Sequence, residues 1–190
     1  MNSLSERDAP QGLMVTFPLF EAELNVILGA IVQTSLLIVL DRLQDPGNLG
    51  TIIRSADAVA AAGVVLIEPC VDLFDLKTVR GSMGSIFTVP LARTSDPHAL
   101  FTELRLHGYH LTGADGYRGE LPWSATGASL QGSTALVLGN EARGLSPDLR
   151  PELTHWTRLP MPGQAESLNV AVAGAILMYQ WLQQNRYADP

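Results

Sequence analysis

The chain has 190 residues, 46% apolar and 16% charged, with a formal net charge of −7; this suits one globular domain with a sizeable core and excludes a disordered protein. The acidic balance argues against a surface that binds nucleic acid through spread basic charge, but leaves room for a local arginine patch. A single cysteine, Cys70, excludes an intrachain disulfide and a cysteine metal cluster, and the absence of any apolar run of roughly 18–20 residues makes a soluble cytoplasmic protein the expectation.

Residues Met1–Gln11 carry Ser, Asp, Glu and Pro with little periodicity, and 1–17 read as a lead-in or linker, with a short strand at Leu13–Phe17. Phe20–Gln33 is apolar and stays open between helix and loop. Leu36–Leu40 (LLIVL) is a continuous apolar run, the pattern of a strand buried on both faces. Thr51–Ala62 has helical composition and is expected to stop at Gly63. Val64–Ile67 is the next buried strand, Leu73–Arg80 a short helix closed by Gly81, and Ile86–Val89 an extended segment. Pro97–His107 is a helix ended by Gly108. Tyr109–Thr112, Ala135–Leu138 and Trp156–Leu159 are strands, and Ser167–Gln184 is a long helix. The alternation predicts an α/β fold with a mostly parallel sheet flanked by helices. Such sheets bind ligands beyond the carboxyl ends of their strands.

Three strand ends carry unusual polar sequence. Leu40–Arg54 (LDRLQDPGNLGTIIR) makes a turn at Pro46 and Gly47, offers Asn48 as a helix cap, and carries Arg54 on the helix. Leu136–Ser146 (LVLGNEARGLS) runs a buried strand into Gly139, where a ligand can approach the backbone, and then sets Asn140 and Glu141 at the strand end. Leu159–Ala175 (LPMPGQAESLNVAVAGA) leads through a Pro and Gly loop to Ser167 as N-cap of a helix of small residues. Each loop taken singly also reads as an ordinary βα connection with a capping role.

Taken in this order, the three segments resemble the motifs of the SpoU (TrmH-like) family of RNA 2′-O-ribose methyltransferases, of the SPOUT superfamily. Lys77–Phe87 (KTVRGSMGSIF) resembles the stretch between the first two motifs, and the likeness runs from about Leu36 to Trp181. The resemblance implies a methyltransferase domain over 18–190 with a C-terminal deep trefoil knot, S-adenosylmethionine as cofactor, and a homodimer with its active site near the interface. It implies transfer of a methyl group to a ribose 2′-hydroxyl, in rRNA first and tRNA next, without a metal. Arg54 is then the residue at the 2′-hydroxyl, as base or as the group that grips the adjacent phosphate. Asn48 and Glu141 position Arg54 or the target nucleotide, with a carboxylate expected to hold the Arg54 guanidinium. Ser167 and Asn169 shape the acceptor site. The cofactor is expected against Leu138, Gly139, Leu159, Met161 and Leu168, with Thr112 and Gly113 as additions, and Arg80 is a candidate RNA contact. Many family members carry an N-terminal substrate-recognition domain, so the chain is either a minimal member or a fragment, with residues 1–17 resembling the linker end of a longer protein.

The dinucleotide fingerprint and the phosphate loop are absent, and His98, His107, His110 and His155 show no metal-ligand spacing. A rival from another class is a non-catalytic RNA-binding or assembly factor that keeps the fold. The retained Arg54, Glu141 and Asn169 weigh against it, because such a factor has no need of them.

Overall fold

The computed structural model describes residues 16, 18, 20, 24–29, 34–124 and 128–187. Its centre is a six-stranded sheet in the order β3-β2-β1-β5-β4-β6, with every pair parallel. The strands are β1 (Leu36–Asp41), β2 (Gly63–Ile67), β3 (Leu91–Thr94), β4 (His110–Ala114), β5 (Thr134–Leu138) and β6 (His155–Thr157). The helices are α1 (Leu24–Gly29), α2 (Pro46–Ala58), α3 (Leu76–Gly81), α4 (Pro97–Leu106) and α5 (Val170–Arg186).

The unbroken apolar runs have a direct structural cause. Successive side chains of a strand point to opposite faces, and here both faces are covered. Leu36, Ile38 and Leu40 of β1, with Val64, Leu66, Leu136 and Leu138, face the layer that includes α2 and α5 through Leu49, Ile52, Ile53, Leu177 and Trp181. Leu37, Val39, Val65, Ala135 and Val137 face the other layer, through Ile27, Leu28, Leu100, Phe101 and Leu104 of α1 and α4. Burying a side chain of this size stabilises by about 1.5–3 kcal/mol before entropy is counted, so the two clusters hold the sheet between its helices.

Several element limits differ from those expected. The first long helix begins at Pro46, not Thr51, because Asp45 caps it and proline favours the first helical position. It ends at Ala58; Ala60 takes the left-handed turn (φ 53°), and Gly63 opens β2 instead of closing the helix. The short helix starts at Leu76 because the Asp75 carboxylate caps Lys77 N. Ser85–Phe87 is a 3-10 turn in place of the expected extended segment, and the strand follows at Leu91–Thr94. That strand has a weak sequence pattern because it lies at the sheet edge and buries its first half alone. The last helix starts at Val170, not Ser167, with Asn169 as its cap. The strand expected at Leu13–Phe17 and the lead-in lie outside the described residues, apart from Thr16. Among the described residues no helix is long and apolar enough to cross a membrane.

Helices α2 and α3 cross at two glycines. A Cβ on Gly50 would lie 2.7 Å from Thr78 O and 2.9 Å from Gly81 Cα, both rigid backbone. Gly50→Ala is therefore expected to destabilise the chain by about 1–3 kcal/mol in urea denaturation. Gly163→Ala, where a Cβ meets nothing within 4 Å, is expected to change it little.

Candidate active site

The first wall of the site is the β1–α2 connection. Arg42 takes a left-handed conformation (φ 56°) as β1 ends and donates its N–H to Ile67 O. Asp45 then caps α2, its Oδ1 accepting from Asn48 N at 2.8 Å. Asp45 thus takes the capping role expected of Asn48, and the Asn48 carboxamide is available for contacts across the strand ends.

The second wall is the loop after β5. Asn140 N donates to Gly144 O and Gly144 N to Asn140 O, at 3.0 and 2.8 Å, closing a tight turn in which Gly144 has φ 66°. Asn140 also ties this loop to the first, donating Nδ2 to Arg42 O at 2.9 Å. A Cβ on Gly139 would fall 2.3 Å from Gly144 C and 2.4 Å from Leu145 N, so the outgoing and returning chains touch there and glycine is required.

The third wall is the segment between β6 and α5. Leu159 is buried just beyond β6, which ends at Thr157 and not at Leu159 as expected. Asn169 Oδ1 accepts from Ala171 N and Val172 N at 2.9 and 3.2 Å, the N-cap arrangement. Ser167 lies two residues earlier on exposed, non-helical chain.

One chain of hydrogen bonds joins the three walls. Asn48 Nδ2 donates to Glu141 Oε1 at 3.0 Å, and Asn169 Nδ2 donates to Asn48 Oδ1 at 2.9 Å. Asp45 N adds a second donor to Glu141 Oε1 at 3.3 Å. Beside this chain lies an open cavity of about 570 Å³, lined by Leu138, Gly139, Glu141, Leu159, Met161, Ser167, Leu168 and Asn169 among others. The volume falls in the range of about 300–1,000 Å³ usual for small-molecule sites.

Not every expected residue joins this group. Thr112 is fully buried and donates its hydroxyl to Ser129 O at 2.6 Å. Gly113 is backed by Leu153, Leu145 and Trp156. Neither lines the cavity; β4 contributes Ala114, followed by the Asp115–Tyr117 turn. The sequence carries a signal for this. Asp-Gly pairs mark turns, so Asp115-Gly116 places the strand end at Ala114, and the Asp115 carboxylate closes the turn by accepting from Tyr117 N and Arg118 N.

Arg54 is exposed on the outer face of α2, outside the cavity lining, and makes no hydrogen bond or ion pair among the described residues. The carboxylate expected to hold its guanidinium is not found among the described residues; Glu141 accepts from Asn48 and Asp45 through Oε1. Arg80 is exposed in the last turn of α3, also outside the lining. Among the described residues, no three His, Cys, Asp or Glu side chains gather as a metal site. Two displaced titrations lie at the amino ends of the strands, the opposite pole: burial raises the Tyr109 phenol against its hydrogen bond with the Ser35 hydroxyl, and burial with His110 lowers His155 against the pull of Glu120.

Asn48→Ala removes two contacts at once and is expected to cost about 1–2 kcal/mol in urea denaturation. Combined with Glu141→Ala the losses are expected to be non-additive, with a coupling of about 0.5 kcal/mol or more; strict additivity would mean that the two side chains do not interact.

The model of the SpoU rRNA Methylase family matches residues 35–179. The 23S rRNA (guanosine(2553)-2′-O)-methyltransferase RlmP of Bacillus subtilis (strain 168) is 41% identical over 146 residues, covering 75% of this chain and 56% of the relative. The 23S rRNA (guanosine-2′-O-)-methyltransferase RlmB of Xanthomonas axonopodis pv. citri (strain 306) is 32% identical over 164 residues, covering 86% and 65%. The SpoU methyltransferase AviRb from Streptomyces viridochromogenes, solved in complex with the cofactor AdoMet, matches with a TM-score of 0.78 and 33% identity over 88% of this chain and 63% of that one. The chain spans a little over half the length of the first of these curated relatives. With the family's model matched from β1 into α5, and its three motif segments joined by the hydrogen bonds of Asn48 to Glu141 and Asn169, the chain belongs to the SpoU rRNA methylase family.

Proposed function

We propose that this chain transfers a methyl group from S-adenosylmethionine to a ribose 2′-hydroxyl of RNA, with rRNA as the first candidate substrate and tRNA as the next. The observation that carries the reading is the cavity of about 570 Å³ bordered by the Glu141–Asn48–Asn169 chain of hydrogen bonds. The names of RlmP and RlmB, and the AdoMet bound to AviRb, support it.

The cavity suits the cofactor chemically. Leu138, Leu159, Met161 and Leu168 offer apolar surface for an adenine ring, and Gly139 brings backbone to the wall. When bound, S-adenosylmethionine supplies a methyl group already activated by its sulfonium. The chain must then hold the acceptor in line and draw on its hydroxyl proton. Glu141 is fixed through Oε1, and its other oxygen makes no hydrogen bond among the described residues. In this reading Glu141, Asn48, Asn169 and Ser167 orient the ribose. Arg54 keeps its proton, as guanidinium groups do, and grips the phosphate while stabilising developing negative charge. Arg80 contacts RNA further along.

A homodimer belongs to the same proposal. Leu168, Val172, Ile176 and Tyr179 are 41%, 48%, 40% and 54% exposed and recur along one side of α5 and its lead. A row of exposed apolar side chains marks an interaction face, and a second copy there is the occupant proposed. The deep trefoil knot, a lead-in over 1–17 and a methyltransferase domain over 18–190 complete the reading.

Labelled methyl transfer from S-adenosylmethionine to rRNA, followed by mapping of the 2′-O-methyl position, tests the activity; methyl groups found on bases instead of ribose would contradict it. Arg54→Ala is expected to lower kcat about 100-fold or more with cofactor affinity little changed. Ile176→Glu is expected to give a monomer in sedimentation experiments, and an unchanged dimer would remove α5 from the interface.

A further inference from the structure

Asp41 ends β1 and is fully buried, yet the chemistry above makes no use of it. A carboxylate withdrawn from water is costly unless its oxygens are hydrogen-bonded or paired. Here both oxygens are engaged by one residue. Oδ2 accepts from Ser146 N at 2.6 Å and Oδ1 from Ser146 Oγ at 3.0 Å. Arg42 Nε stands 3.8 Å from Oδ1, beyond hydrogen-bond distance. The buried carboxylate therefore serves mainly to grip Ser146.

Ser146 is where the loop after β5 returns. Strands β1 and β5 are neighbours, with Leu40 opposite Leu138, so Asp41 stands level with Gly139 at the root of that loop. The chain leaves at Gly139, turns through the Asn140–Gly144 pair, and comes back against its own start at Gly144 and Leu145. Leu145 lines the cavity, and its carbonyl also accepts from Arg150 Nε at 3.1 Å. The next residue, Ser146, is the one that Asp41 clips.

We propose that Asp41 is a positioning residue that keeps the cavity formed before its ligand arrives, so that binding carries little cost for ordering the loop. This rests on reading the cavity as the methyl-donor site. The role calls for two acceptor or donor positions more than for charge. An asparagine retains both contacts, because its carbonyl accepts from Ser146 N while its amide donates to the serine hydroxyl, which can accept.

The test is calorimetric binding of S-adenosylhomocysteine to the full chain, with hydrogen exchange read across residues 139–146. Asp41→Ala is expected to weaken binding about tenfold or more and to speed exchange in that loop but not in α4. Asp41→Asn is expected to restore affinity to within about threefold of the wild type, and Ser146→Ala to weaken it about threefold. A folded Asp41→Ala chain that binds as tightly as the wild type, with no faster exchange, would overturn the proposal. If that variant does not fold, an unchanged Ser146→Ala would do the same. An Asp41→Asn chain as weak as Asp41→Ala would also overturn it, by assigning the effect to charge. A wild-type chain that fails to bind S-adenosylhomocysteine would overturn the donor-site reading itself.

Discussion

Asn48 holds together segments that lie 93 and 121 residues away in the chain, at Glu141 and Asn169. Its carboxamide donates to a carboxylate on one side and accepts from an amide on the other. A carboxylate at this position would lose the donor and repel Glu141, and an apolar side chain would lose both contacts. The cap made by Asp45 is what sets the carboxamide in place, and the cap made by Asn169 fixes the far end of the chain of bonds. The site thus depends on two helix N-termini being closed by the right side chains.

The sheet explains why these segments meet. From β1 the chain builds outward through β2 to β3, then crosses to the other side for β4, β5 and β6. Strands β1 and β5 flank the point where the order reverses, and their carboxyl ends open a crevice there, as in other open α/β sheets. Asp41 and Gly139 stand at that crevice, one clipping the returning loop and the other letting it pass close. Packing on both faces of the sheet keeps the strand ends in register, so polar groups on three loops meet at hydrogen-bond distance.

Much of this was legible in the sequence. The runs LLIVL, VVLI and ALVL declared buried strands because both faces of the sheet are covered. The motif segments carried Asn48, Glu141, Ser167 and Asn169; the last three line the cavity, and Asn48 is hydrogen-bonded to Glu141 and Asn169. What was not legible has physical causes. Caps depend on which side chain reaches an N–H, so Asp45 and Asn169 replace Asn48 and Ser167. An edge strand half exposed to solvent has a weak pattern, which hides β3. A β4 that stops at Thr112 would put Thr112 and Gly113 at the strand end, but two further residues pair and the cavity begins at Ala114. Contacts such as Asp41 to Ser146, 105 residues apart, leave no local trace.

The most direct test of the account is a crystal structure with S-adenosylhomocysteine bound. The account predicts adenine against Gly139 and Leu159, the thioether sulfur turned toward the Glu141–Asn48–Asn169 chain, and those hydrogen bonds intact. A ligand seated elsewhere, or a site in which Asn48 has let go of both partners, would contradict it.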